Sequence, residues 1–351
     1  MSEADPRSIR RAATRLQAKL SALEVADLPI SDYNKRYLGN RKRHLASALS
    51  LYARLIGRAL AGRPAEDLPV VDYGGGIGLM SLLLAEGAWA PVVYADIYPV
   101  SCDDVRTLAE HLGLGLDHVL CGDVDQVVDT LLERRIEVGA VVSFDVLEHI
   151  YDPVSHFRHL LRLDSGPLIV YGSGANILNK RIVKVVERKQ HQVEWEDRIA
   201  GFGHKDRDSL RAYRSLRRDY ILARRPGLDL EVVESLVDAT RGLVYADIDP
   251  VLAEYEASGR ISCQPDHPTN TCDPATGNWC ERFMDQDWLV KELGGLGFSA
   301  HVTPGRFDVE GWSPKALAKR LLNGGLAVTG NGLMPLAPYF VLEARRSGWN
   351  A

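Results

Sequence analysis

Val70-Val-Asp-Tyr-Gly-Gly-Gly-Ile-Gly78 is the stretch that decides the fold. Val70 and Val71 suit a buried parallel strand, and the run then breaks into glycines before residues 79–86 begin a helix. Gly74, Gly76 and Gly78 let the backbone turn sharply and approach a ligand. A dinucleotide fingerprint needs its third glycine where this chain has Leu79 or Ser81, so the loop is not of that kind. Asp72, just before the turn, repels phosphate and suits a ligand that carries an ammonium group. The stretch implies a nucleoside-binding loop.

Reading onward, residues 91–99 (Pro-Val-Val-Tyr-Ala-Asp-Ile-Tyr-Pro) form a second buried strand whose carboxyl end delivers Asp96. An acid roughly 20 residues beyond the glycines is placed to accept both hydroxyls of a ribose. Residues 119–124 (Val-Leu-Cys-Gly-Asp-Val) give a third run ending at Asp123, which suits either an adenine amino group or plain turn chemistry. A fourth strand, residues 139–144, leads into Asp145-Val-Leu-Glu-His-Ile-Tyr-Asp-Pro153. A fifth, residues 167–171, ends in Gly-Ser-Gly-Ala-Asn.

This ordered set resembles the class I S-adenosylmethionine-dependent methyltransferases over about residues 65–178. The resemblance resumes near the C-terminus, with residues 288–298 as the last helix and 336–344 as the final strand. It implies an α/β fold: a Rossmann-like, doubly wound, mostly parallel seven-stranded sheet with helices on both faces. It also implies S-adenosyl-L-methionine as cofactor. Asp72 and the loop of Gly74, Gly76 and Gly78 then hold the methionine part, Asp96 the ribose, and Asp123 with the Val124 backbone the adenine, with Asp145 completing the contacts. One departure is visible: many relatives start the fourth strand with an aspartate, where this chain has Gly139.

Composition agrees with an enzyme of this kind. The chain has 351 residues, 46% of them hydrophobic, enough for one catalytic domain with additions. We divide it into an N-terminal helical cap (1–64), a cofactor-binding core (65–178), a substrate-binding insertion or lid (179–284) and the C-terminal part of the core (285–351). No apolar run reaches the roughly 18 residues of a membrane span, and the N-terminus lacks a signal-peptide core. Five cysteines, an odd number, argue for a reducing compartment, and the cytoplasm is the expectation. A net charge of -5 gives no global attraction for nucleic acid.

The additions flank the core. Residues 8–24 and 41–61 have helical apolar spacing, with the segment from Pro29 to Asn34 read as a loop between them. Tyr33, Tyr37 and Tyr52 are candidate lid residues. In the insertion, residues 180–225 are rich in arginine, including Arg211, Arg214, Arg217 and Arg218. Such a run suits a phosphate, a uronate or RNA, or else a solvated helix paired at i to i+4 with Glu187, Glu194 and Asp208. The segment from Cys263 to Cys280 has the spacing Cys-x3-His-x4-Cys-x7-Cys, with His267 as the histidine, and lacks the paired knuckles of structural zinc sites. The competing reading is a polar loop over the substrate, with Asn270, Asn278, Trp279 and Glu281 facing a polyhydroxylated ligand, or Trp279 serving as a buried anchor.

The chemistry centres on Asp145, Glu148 and His149. His149 is a candidate general base for a hydroxyl acceptor at neutral pH, the plain alternative being a capping histidine bonded to backbone. Asp145-x-x-Glu148-His149 is also a plausible set for a divalent ion. It is similar to the Glu-x-x-Glu-His motif of small-RNA 2′-O-methyltransferases and ubiquinone-pathway O-methyltransferases, where Mg²⁺ binds the acceptor oxygens. Here the first ligand is one methylene shorter, and a further histidine, His204 or His267, is expected to complete the set. The expectation is O-methylation of a hydroxyl on a polar small molecule, natural product or glycan, with catalysis by His149, Glu148 and His204. The alternatives are an RNA or protein methyltransferase that uses the basic insertion, and a non-catalytic S-adenosylmethionine-binding sensor or scaffold.

Overall fold

The computed structural model describes residues 5–201, 205–309 and 311–348. They form two compact units, the first made of Met1–Leu147, Asp152–Ser173 and Gln286–Ala351, the second of Glu148–Tyr151 and Gly174–Asp285.

In the first unit α1 (Pro6–Ala22) starts at Asp5, whose carboxylate caps the amides of Arg7 and Ser8, and it buries Ile9, Ala12, Leu16 and Leu20 along one face. The helix α2 (Asp32–Lys42) is capped by the Ser31 hydroxyl, and α3 (Leu45–Gly62) follows after a break at Arg43 and His44. The loop expected from Pro29 to Asn34 is therefore helical from Asp32 onward. Only Asn34 and Leu38 are buried on α2, so its sequence shows almost no apolar period. What holds it is the buried Asp104, which accepts from the Ser31 amide at 3.0 Å, from Asn34 Nδ2 at 2.7 Å and from the Ser31 hydroxyl.

The sheet then builds as strand and helix alternate: β1 (Val70–Tyr73), α4 (Leu79–Gly87), β2 (Val92–Asp96), α5 (Pro99–His111), β3 (His118–Cys121), α6 (Val124–Glu133), β4 (Ala140–Phe144), α7 (Pro153–Leu160) and β5 (Leu168–Ser173). Strands β1 to β5 pair in parallel, and β1, β2 and β5 are buried along their whole length, as continuous aliphatic runs require. Asp72 lies beside Tyr94 of β2 and Val142 of β4, and Asp96 lies beside Cys121 of β3. The carboxyl ends of these strands share one edge, where ligands of open α/β sheets bind.

The second unit is mainly helical: α8 (Lys180–Trp195), α9 (Tyr213–Arg224), α10 (Leu230–Ala239) and α11 (Tyr245–Ser258). Ile221, Val233, Leu236, Val237, Ile248 and Leu252 form its apolar core. Beside that core Arg217 pairs with Glu194, and Glu194 also takes the Thr271 hydroxyl at 2.7 Å. The other three arginines singled out in the basic run are paired as well: Arg211 with Asp219, Arg214 with Glu234 and Asp238, and Arg218 with Glu234. Several of these acids come from α10 rather than from the same helix.

Back in the first unit, α12 (Gln286–Leu296), β6 (Phe298–Pro304), α13 (Pro314–Thr329) and β7 (Phe340–Arg346) complete the chain. The strand order is β3-β2-β1-β4-β5-β7-β6, with β7 antiparallel to both neighbours. This is the doubly wound, mostly parallel seven-stranded sheet expected. The last strand starts at Phe340 rather than 336, because α13 and a short 3₁₀ helix (Gly330–Leu336) occupy the β6 to β7 connection. No helix among the described residues is long and apolar enough to cross a membrane.

Candidate cofactor site and proton-handling turn

The glycine loop is held by β2. The amides of Gly74 and Gly75 both donate to the Ala95 carbonyl, at 2.8 and 3.2 Å. Gly74 sits in the left-handed region at φ 70°, and a Cβ there would fall 2.5 Å from Val146 Cγ2, so no other residue fits. Gly76, at φ 55°, differs: nothing lies within 4 Å of where its Cβ would be, and the loop is open on that side. Its amide donates to Asp96 Oδ2 at 2.8 Å, and its carbonyl accepts the Tyr94 hydroxyl at 2.6 Å. Asp96 also accepts the Tyr98 amide through Oδ1 at 2.8 Å. Each carboxylate oxygen retains a second lone-pair direction, so the acid that shapes the loop still has acceptor capacity. Tyr94 was not singled out by sequence; the signal was an aromatic residue in the middle of an aliphatic strand.

Asp72 is 1% exposed, and its Oδ2 accepts both the amide and the hydroxyl of Ser81, at 2.9 and 2.7 Å, tying the first turn of α4 to β1. Burial pushes its pKa up to about 6; the Ser81 hydrogen bonds oppose that rise and the charge of Asp96 adds to it. Because the folded-state value lies above the ordinary one, this group's contribution to stability is full below the ordinary range, near pH 4, and is lost as pH rises through about 6. We expect wild-type stability in denaturant to fall by roughly 2 kcal/mol more than that of Asp72→Asn between pH 4 and pH 7. Parallel profiles would show that the carboxylate is not desolvated.

Asp123 caps α6: it accepts the Gln126 amide at 3.0 Å while Gln126 returns a bond to the Asp123 amide at 3.1 Å. It is exposed, and Val124 behind it is 9% exposed. Asp145, just past β4, is also exposed and takes the left-handed region at φ 57°, with its amide bonded to the Gly172 carbonyl at 3.1 Å.

Two of the candidate lid tyrosines surround Arg41. Its Nη2 donates to the Tyr37 hydroxyl at 2.8 Å, and the guanidinium lies 5.2 Å from the Tyr37 ring centre. Burial draws the Arg41 pKa down, and Tyr37, Tyr52 and Asp145 together more than reverse this. Tyr52 packs edge-on against Phe144, the last residue of β4, at 6.2 Å. Tyr33 instead packs edge-on against Tyr98 at 5.2 Å.

In the second unit, Glu148 is 2% exposed and its Oε1 accepts the Gly174 amide at 2.9 Å. His149 Nδ1 lies 2.7 Å from the Trp279 carbonyl. A carbonyl only accepts, so Nδ1 carries the proton and Nε2 holds the lone pair of the neutral ring. Trp279 is the buried anchor: it is 5% exposed, its Nε1 donates to the Tyr151 carbonyl at 3.2 Å, its ring stacks on Tyr151 at 6.0 Å, and Arg282 lies 4.6 Å from its ring centre. It therefore does not face a sugar. Asn270 is likewise consumed, bonded to Gln190 at 3.1 Å and to the Phe283 amide at 2.9 Å. Asn278 donates to Asp208 at 3.1 Å, and Glu281 pairs with Lys189.

No known family's sequence profile matches the chain, and no curated protein does. Among solved structures it is similar to the plantazolicin methyltransferase BpumL in complex with SAH, at 12% identity over 97% of this chain and 99% of that one, with a TM-score of 0.39. It is also similar to the CurJ carbon methyltransferase, at 12% identity over 96% of this chain and 67% of that one (TM-score 0.40). A third is the magnesium protoporphyrin IX methyltransferase ChlM from Synechocystis PCC 6803 with bound SAH, at 15% identity over 92% and 90% of the two chains (TM-score 0.36). At these scores the likeness adds no weight, and the Rossmann-like sheet stands on its own strand order and register.

Among the described residues no three His, Cys, Asp or Glu side chains group so as to hold a metal ion. Glu148 and His149 each bond to the main chain, at the Gly174 amide and the Trp279 carbonyl. For the cysteine segment, His267 Nδ1 is 3.1 Å from the Thr269 hydroxyl and Cys263 Sγ is 3.4 Å from the Ala239 carbonyl. His204, the candidate fourth ligand and catalytic residue, lies outside the described residues.

Proposed function

We propose that this protein is an S-adenosyl-L-methionine-dependent methyltransferase that acts on the oxygen of a polar small molecule or glycan. The observation that carries the reading is the Gly76 turn: open on its free side, and held by Asp96 through the amide and by Tyr94 through the carbonyl. The remaining lone pairs of Asp96 suit the two vicinal hydroxyls of a ribose. The negative charge of Asp72 beneath the loop suits an ammonium group, and the exposed Asp123 at the head of α6 suits an adenine amino group. When bound, the cofactor supplies a methyl group made electrophilic by sulfonium. The residues of the chain align the acceptor and take its proton.

A hydroxyl acceptor needs that proton removed, and the His149 tautomer set by the Trp279 carbonyl presents a basic Nε2. Glu148, bonded to the Gly174 amide, fixes the turn that carries the histidine. Arg211, Arg214, Arg217 and Arg218 are already paired with acids, and the small-molecule reading is preferred to RNA.

The test is to bind S-adenosylhomocysteine by calorimetry, then to supply methyl-labelled cofactor with extract divided into small-molecule, glycan, nucleic-acid and protein fractions. Label entering the small-molecule or glycan fraction supports the reading; label in nucleic acid or protein overturns the acceptor class, and absence of binding overturns the whole. With the acceptor in hand, His149→Ala is expected to lower turnover by roughly 10²- to 10⁴-fold with cofactor affinity unchanged. Unchanged turnover would remove the histidine from the chemistry.

A further inference from the structure

The helix α13 is arranged inside out. Asn323 lies on its protein side, exchanging two hydrogen bonds of 2.8 Å with the Phe307 main chain, and Ala316 and Leu326 are the residues it buries. Leu317, Leu321 and Val328, spaced four and seven residues apart, share the outward face instead. Leu321 is 71% exposed and Val328 87%. Ala318 and Gly324 continue the stripe and are exposed too, so no polar side chain interrupts it. Trp312, just before the helix, is 87% exposed. Arg320 holds it there: the guanidinium lies 4.2 Å from the ring centre, and Nη2 donates to the Gly311 carbonyl at 2.8 Å. Contiguous apolar surface of this kind marks an interaction site.

Charge decides what covers it. Residues 311–342 contain Lys315, Lys319 and Arg320 but no aspartate or glutamate, and by helical spacing Lys315 and Arg320 flank the stripe on opposite sides. Asp308, shortly before, is already engaged by the Ser47 hydroxyl at 2.9 Å. A second copy of this face would set cation against cation with no acid in the segment to pair them, and a polyanion alone would leave the leucines wet. An anionic lipid surface meets both demands, since its headgroups take the cations while the acyl boundary takes the leucines and the indole. We propose that α13, with Trp312, is an interfacial anchor that docks the protein on a membrane surface containing anionic lipid. The helix lies in the plane of the interface and does not cross it. No residue assigned to the cofactor or to proton removal takes part.

The experiment floats the full chain with phosphatidylcholine vesicles, with and without phosphatidylserine. Wild type is expected to bind the phosphatidylserine vesicles roughly tenfold more tightly or better, and added salt should weaken that binding. Leu321→Glu puts a charge into the stripe, and Lys315→Glu reverses a flanking charge while leaving the stripe intact; each should weaken binding roughly tenfold or more. Both positions are exposed, so the fold should persist, which unchanged thermal melting would show. Failure of wild type to bind either vesicle overturns the proposal, as does binding that both substitutions leave intact. Equal affinity for the two vesicle types removes the role of charge and overturns it as well. A wild-type dimer in analytical ultracentrifugation that Leu321→Glu converts to monomer would assign the stripe to a second copy, with the same consequence.

Discussion

Asp96→Ala is expected to abolish measurable cofactor binding, with S-adenosylhomocysteine affinity falling roughly hundredfold or more in calorimetry. Two effects add. The ribose loses two hydrogen bonds to a charged acceptor, each worth about 1.5–3 kcal/mol. The Gly76 amide, now at 2.8 Å from Oδ2, loses the partner that sets the open turn, and the Tyr98 amide loses Oδ1. Asp96→Asn separates the two effects: it keeps an acceptor for one amide but not the charge, so it should retain more affinity than alanine. Tyr94 holds the same turn from its carbonyl side and remains in both variants. Normal affinity in Asp96→Ala would place the cofactor somewhere other than this loop.

How much of this was legible in the chain follows from which contacts are local. The apolar runs of β1, β2, β4 and β5 and the glycine turn are set by nearest neighbours, so the sheet and its glycine turn could be read directly. The helix α2 could not, because its fastening comes from Asp104, some seventy residues away, and its buried side is an asparagine and a leucine. Strand β6 alternates buried and exposed positions through polar Ser299 and His301 and is defined by pairing with β7. The arginine run looked like a solvated face because its partners Glu234 and Asp238 lie on another helix. The Asp145, Glu148, His149 set shows a different limit. Spacing gave closeness along the chain, but side-chain direction was decided by the amide of Gly174 and the carbonyl of Trp279. The contact with the Trp279 carbonyl gives His149 its base-competent tautomer.

Arg217→Ala is expected to be the most destabilising single change in the second unit, at about 3–5 kcal/mol. The Arg217 side chain is 0% exposed and that of Glu194 2%. Removing the guanidinium leaves the carboxylate buried, with the Thr271 hydroxyl and the more exposed Arg241 as its remaining partners. The loss therefore comes from stranding a charge rather than from the worth of the pair. Two comparisons separate these. Arg214→Ala, whose partners Glu234 and Asp238 are 38% and 58% exposed, should cost no more than about 1 kcal/mol. Arg217→Met combined with Glu194→Met removes both charges and should recover much of what Arg217→Ala loses. Native-state hydrogen exchange is the readout, since it reports each unit separately: amides of α8 to α10 should lose protection while those of β1 to β5 keep theirs. Equal losses for Arg217→Ala and Arg214→Ala would mean that burial does not govern this pair. Loss of protection throughout the sheet would mean that the two units do not unfold independently.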